Sequence, residues 1–158
     1  MIRIERRGLM KRLLTTLVIL TGLFAPALAV AGEGVNIDDL VVREGLHYEK
    51  FTEEPFTGKT VGSAQYTFRR GKKHGPVVLF YPNGQLSMKG NYKDGDLDGL
   101  WVWYRMDGQL LEKGPYKDSL REGFWVFSKR DGTTDMDGKC CGYHGGTGTY
   151  RNGKKVSD

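Results

Sequence analysis

The chain has 158 residues, with 24 Lys and Arg against 19 Asp and Glu, and 23 glycines. The formal +5 overstates the basic character, because residues 1–31 hold five of the bases and one acid, leaving the remainder near +1. That balance excludes a phosphate-binding surface spread over the whole molecule and with it a nucleic-acid partner, while about 127 residues after position 31 bound one domain.

Residues 1–31 read as an export signal. Arg3, Arg6, Arg7, Lys11 and Arg12 precede the apolar run Leu13 to Ala25, and Ala27-Leu28-Ala29 or Ala29-Val30-Ala31 supplies a small-x-small cleavage site. The expected location is therefore periplasmic or secreted. Residues 32–40 read as a polar lead-in. Residues 32–58 hold seven acids against two bases, whereas 59–158 hold seventeen bases against eleven acids. The second region carries +6, a balance that favours acidic partners.

From residue 41 to 158 the chain is periodic. Gly75, Gly99 and Gly123 lie 24 apart, as do Gly84, Gly108 and Gly132, and Gly90, Gly114 and Gly138. Val77/Trp101/Trp125, Val78/Val102/Val126 and Leu79/Trp103/Phe127 agree in type at the same spacing. A fixed period of this size means stacked supersecondary units. Residues 41–70 form a degenerate opening unit, 71–94 and 95–118 are full units, and 119–142 is a third. Each reads as a hairpin: a β-branched and aromatic strand, an Asn-Gly or Asp-Gly turn, and a returning strand. Asn83-Gly84 fits a type I′ turn, with positive φ at both central residues. The expected fold is an all-β, antiparallel meander of 24-residue hairpins, twisted or rolled, because both faces carry apolar ladders. Val77, Trp101, Trp125, Leu79, Trp103 and Phe127 should share one face, and Val78, Val102, Val126, Phe80 and Tyr104 the other. Gly148-Thr149-Tyr150-Arg151-Asn152-Gly153 repeats Gly90 to Gly95 displaced by ten residues. Residues 139–147 are thus an insertion, and 148–158 close the array.

Chemistry-bearing patterns are few. Asp94-Gly95-Asp96-Leu97-Asp98-Gly99 resembles half of a calcium loop, but its twelfth position is Arg105 and the equivalent turn one repeat earlier is Gly71-Lys72-Lys73-His74-Gly75. It reads as a solvated turn. Cys140 and Cys141, with His144 nearby, are adjacent and would close a strained ring as a disulfide. Free thiols or an intermolecular bridge remain, and a metal site there lacks a fourth ligand. No nucleophile elbow or phosphate loop occurs, so neither an enzyme nor a cofactor is expected. Trp101, Trp103, Trp125, Phe127, Tyr81 and Tyr104 are the candidate binding residues, since aromatics concentrate at interaction hot spots; the competing reading for the tryptophans is core. Lys89, Lys93, Lys113, Lys117 and Arg121 frame an acidic partner or anionic lipid, or form a solvated face.

The pattern Gly-x-x-x-Gly-x-Trp-Val-x-Tyr, then Asp/Asn-Gly-Gln-Leu and Lys-Gly-x-Tyr-Lys-Asp, resembles the variant class of MORN repeats. Pro55-Phe56-Thr57-Gly58 and the closing Gly148-Thr149-Tyr150 and Lys155-Val156-Ser157-Asp158 are similar to exported YwqK-family toxin–antitoxin antitoxins. The resemblance implies a non-enzymatic hairpin array that binds a protein partner, such as a cognate toxin. The lipid association of other MORN proteins supplies the alternative of an anionic membrane surface.

Overall fold

The computed structural model describes residues 34–138 and 145–158. The export signal, Cys140, Cys141 and His144 lie outside the described residues. The strands are β1 (Val35–Asn36), β2 (Leu40–Arg43), β3 (Leu46–Glu49), β4 (Gly58–Val61), β5 (Ala64–Arg69), β6 (Lys72–Phe80), β7 (Leu86–Lys93), β8 (Asp96–Leu97), β9 (Gly99–Tyr104), β10 (Leu110–Lys117), β11 (Leu120–Arg121), β12 (Gly123–Phe127), β13 (Gly148–Arg151) and β14 (Lys154–Ser157).

Among the described residues twelve strands pair into one sheet in the order β1-β4-β5-β6-β7-β9-β10-β12-β13-β14, with β8 on β7 and β11 on β10; β2 and β3 pair separately. Chain neighbours are sheet neighbours from β4 onward, so this is the expected meander. Two departures come at its start. The segment read as a polar lead-in contributes β1, and β1 pairs parallel with β4, with Val35 opposite Thr60. A two-residue edge strand needs only the free hydrogen-bonding edge of β4, which no apolar pattern advertises.

The turns alternate between two kinds, and the sequence reading placed the type I′ turn on the wrong one. Asn83, Asp107 and Asp131 keep negative φ, while Gly84, Gly108 and Gly132 stand at +82°, +85° and +83°. These are three-residue loops. The amides of Gly84, Gly108 and Gly132 donate to the carbonyls of Tyr81, Arg105 and Lys129 at 2.8–3.0 Å. The Asn83, Asp107 and Asp131 side chains accept from the amide two residues on, at 3.1, 2.9 and 2.9 Å. That local bond holds the Asn or Asp at negative φ and leaves the left-handed position to glycine. The type I′ geometry sits at the opposite edge, in Glu44-Gly45, Arg70-Gly71, Asp94-Gly95, Asp118-Ser119 and Asn152-Gly153, where both residues have positive φ.

These opposite-edge turns stack on one another through the backbone. The Gly95 amide donates to Lys73 O, Ser119 to Leu97 O and Gly153 to Arg121 O, each near 2.9–3.0 Å. Just inside this edge, Gly99 and Gly123 sit at positive φ beside bulges. There the amides of Asp98 and Glu122 reach back to Asn91 O and Pro115 O at 3.0 Å. A bulge in every unit sharpens the strand twist.

The third glycine series has a different cause. Gly90 and Gly114 are in ordinary extended conformation, yet a Cβ on either would lie 2.2 Å from the indole Cδ2 of Trp101 or Trp125. Each ring lies flat on a glycine of the preceding strand and donates its Nε1 proton to Asn91 O or Pro115 O at 3.0 Å. The first unit inverts the sizes at the equivalent pair: Tyr66 stands opposite Val77. The insertion leaves this arrangement intact. Gly148 pairs with Trp125 as Gly114 pairs with Trp101 and Gly90 with Val77. The displaced segment is back in register in space, as the ten-residue offset anticipates.

Candidate binding surfaces

The two faces expected from alternation are both present, with opposite fates. The face carrying Val77, Trp101 and Trp125 is the core. Trp101 is 1% exposed, Trp125 0% and Phe127 2%. Their rings form one run along the sheet. Trp103 stacks between Trp101 (centroids 5.4 Å) and Trp125 (6.0 Å), Tyr116 stands edge-on to Trp125 at 4.9 Å, and Tyr92 edge-on to Trp101 at 5.0 Å. Phe68 and Tyr66 continue the run in one direction, Phe127 and Tyr150 in the other. Edge-on and offset pairs of this kind add to the burial energy of the rings.

Trp101, Trp125 and Phe127, expected as binding residues, are therefore sealed away from any partner. Trp103 is half-buried in the same stack. Tyr81 donates its hydroxyl proton to Tyr104 O at 2.8 Å, tying one loop to the next strand, so both half-buried tyrosines hold adjacent units together. Among the described residues no α-helix packs on the sheet, so the aromatics themselves supply the covering layer.

Charge is built into this inner face where sequence reading saw a solvated surface. Arg121, expected among exposed cations, lies over Trp125 at 4.7 Å and Phe127 at 4.9 Å, and pairs with Glu112 at 3.1 Å. Glu112 is 5% exposed; burial raises its pKa, opposed by the Arg121 charge. One period-pair earlier, Lys73 covers Tyr66 at 4.3 Å and Tyr92 at 5.2 Å, and burial lowers its pKa. Tyr66 and Tyr92 are raised, chiefly by burial. Positions 73, 97 and 121 are equivalent, so two of three units cap the aromatic stack with a cation.

The opposite face is open in part: Val102 is 7% exposed, but its neighbours on that face are not buried. Leu100 is 62% and Phe124 55% exposed, and with exposed Pro76 they occupy one position of three successive units. The row of Val78, Val102 and Val126 runs beside them. Lys89 stands opposite Val78 and Val102, and Lys113 opposite Val102 and Val126. Pro76, Val78, Lys89, Asn91, Leu100 and Val102 line a shallow groove of about 280 Å³. The row 76/100/124 is readable in the sequence as the alternate neighbour of the tryptophan position.

At the type I′ edge, Asp94 receives a hydrogen bond from Arg69 at 2.7 Å and lies 3.1 Å from His74 Nδ1. Its pKa is held down, first by the Arg69 hydrogen bond. Asp96 accepts from Ser119 Oγ at 2.9 Å. The calcium-like motif is thus a two-residue turn whose carboxylates serve neighbouring turns. Among the described residues, no group of three or more His, Cys, Asp or Glu side chains is placed to hold a metal ion, and no helix is long and apolar enough to cross a membrane.

No curated protein matches the chain. The family model of the MORN repeat variant matches residues 73–94 and 97–118, two successive segments offset by the same 24 residues that space the glycines and the tryptophans.

Proposed function

We propose that the chain is a non-enzymatic binding module of the bacterial envelope, and that it engages a protein partner through the open face of the sheet. One observation carries the reading: Leu100 and Phe124 remain more than half exposed in a row set by the repeat, while Trp101, Trp125 and Phe127 of the other ladder are buried. Exposed apolar side chains aligned by a rigid repeat make a contact surface, and isolated ones would need no explanation. Lys89 and Lys113 flank the row, so the complementary surface is an apolar strip edged with carboxylates. MORN repeats generally serve protein or membrane binding, which agrees with this use of the sheet.

Envelope location rests on residues 1–31 as an export signal. The finer reading, a toxin held in an immunity-like pairing, rests on the resemblance of the Pro55–Gly58 and 148–158 segments to YwqK-family proteins. Affinity capture from an envelope fraction tests the face, comparing wild type with Leu100→Asp/Phe124→Asp. Loss of the captured protein with unchanged thermal stability is the expected result, and equal recovery refutes the assignment. The captured protein should be toxic when expressed alone and tolerated with this chain if the immunity pairing holds. Flotation with anionic vesicles at low salt, abolished by the same variant, would assign the face to a lipid surface instead.

A further inference from the structure

The geometry points to the tip of the β5–β6 hairpin as a second docking site, one for an acidic polypeptide segment. Arg69, Arg70, Lys72, Lys73 and His74 crowd around the Arg70-Gly71 turn. The fold does not ask for them. The positions equivalent to Arg70, Lys72 and His74 are Asp94, Asp96 and Asp98 in the next unit, and Asp118, Leu120 and Glu122 in the one after. The same turn thus forms with the opposite charge.

Counter-charge within the molecule accounts for part of the cluster. Asp94 takes Arg69 and His74. Among the described residues Arg70 and Lys72 have no carboxylate partner, and both side chains are exposed. Two concavities meet at Lys72. One of about 390 Å³ is lined by His47, Lys72, Lys73 and Asp96, and the other, of about 540 Å³, by Leu46, Arg69, Arg70 and Lys72; Asp94 borders both.

The backbone argues for a chain of carboxylates over a phosphate group. Compact phosphate sites cradle the anion with free amides. Here the Gly71 amide donates to Phe56 O at 2.8 Å, Arg70 to Thr57 Oγ1 at 2.8 Å and Gly95 to Lys73 O at 2.9 Å. With those amides committed, recognition falls to side chains spread over two concavities, a spacing that suits carboxylates distributed along a peptide. Leu46 offers that peptide an apolar contact.

The test is fluorescence anisotropy of a labelled Glu/Asp-rich peptide with the full chain at low and high salt. The variant is Arg70→Asp/Lys72→Asp, which installs the residues that the next unit carries at Asp94 and Asp96 and so preserves the turn. Binding should weaken with salt and fall about tenfold in the variant. Arg151→Asp/Lys154→Asp, the same charge change at the last type I′ tip, should alter it by less than about twofold. Leu100→Asp/Phe124→Asp should leave it unchanged, so this site and the open face stand or fall separately. Four results would overturn the proposal: no binding at low salt; equal loss from both charge variants; displacement by inorganic phosphate as readily as by unlabelled peptide; or anionic vesicles bound through Arg70 and Lys72 while the peptide is not.

Discussion

Replacing Gly114 by alanine separates two ways of thinking about a strand glycine. Its φ is ordinary, so general experience predicts that alanine would stabilise the protein by about 0.4–1 kcal/mol, through a less flexible unfolded chain. The structure predicts the reverse. The new Cβ would lie 2.2 Å from Trp125 Cδ2 and 2.4 Å from Cγ and Cε2. The ring has nowhere to retreat, being fully buried, bonded through Nε1 to Pro115 O at 3.0 Å and covered by Arg121 at 4.7 Å and Tyr116 at 4.9 Å. Overpacking of a rigid core costs about 1–3 kcal/mol, and displacing the indole from its hydrogen bond adds about 1 kcal/mol. We expect Gly114→Ala to destabilise by about 3 kcal/mol, a fall of roughly 10 °C in Tm for a domain of this size.

Urea unfolding followed by far-ultraviolet circular dichroism measures this without relying on the altered tryptophan. The decisive comparison is a double-mutant cycle with Trp125→Val, which copies the Tyr66/Val77 solution of the first unit. Trp125→Val alone should cost about 3 kcal/mol. In that background Gly114→Ala should cost less than about 0.5 kcal/mol, giving a coupling of at least about 2 kcal/mol. A Gly114→Ala protein as stable as wild type, or additive effects in the cycle, would refute the claim that indole-on-glycine contact explains this glycine series.

Three further outcomes follow from the charges and the open face. Leu100→Asp and Phe124→Asp should each change stability by less than about 0.5 kcal/mol, because exposed substitutions away from packed groups do little; a large loss by thermal melting would place these side chains in a core. The Asp94 pKa is lowered in the folded state, so its contribution to stability is present above the unfolded value of 3.8 and disappears as pH falls through the lower folded value. Asp94→Asn should therefore flatten the acid limb of the stability curve below about pH 4, and an unchanged limb would count against the Arg69 pairing. Glu112 has the opposite sign. Its folded pKa is raised above 4.5, so its proton-linked contribution is full below that value and is lost as pH rises through the folded one. Glu112→Gln should remove that component of the pH profile while keeping an acceptor for Arg121, whereas Glu112→Ala leaves a mostly buried cation alone and should cost about 3 kcal/mol.

The meander, its period, its two faces and the re-entry at Gly148 were legible because all of them repeat, and repetition separates signal from local accident. The turn types were not. Asn-Gly and Asp-Gly serve both two-residue and three-residue loops, and only the pairing of Tyr81 with Gln85 across the turn shows that Pro82-Asn83-Gly84 is the longer kind. The parallel strand β1 escaped notice because two residues carry no periodicity. The candidate site fared worse, because an aromatic ladder looks the same whether it awaits a partner or packs upon itself. What decides between them is the residue beneath each indole. Gly90 and Gly114 allow the rings to lie flat and close the face, and a glycine series explained only by turns conceals that role.

The same comparison between units shows where function can be sought in a protein whose fold uses most of its distinctive residues. At a position where all units agree, such as the indole and its glycine, the fold is sufficient reason for the residue. At a position where units disagree while the backbone stays the same, the fold supplies no reason. Arg70, Asp94 and Asp118 share one turn position with φ near 50°, and Lys72, Asp96 and Leu120 the one two residues on. The backbone is indifferent to which of these it carries, so their charges are free to be set by contact with something else. The tip at Arg70 and Lys72 carries the charge opposite to that of Asp94 and Asp96 in the next unit, and neither residue has a carboxylate partner among the described residues. A partner's carboxylates would supply what Asp94 supplies only to Arg69 and His74.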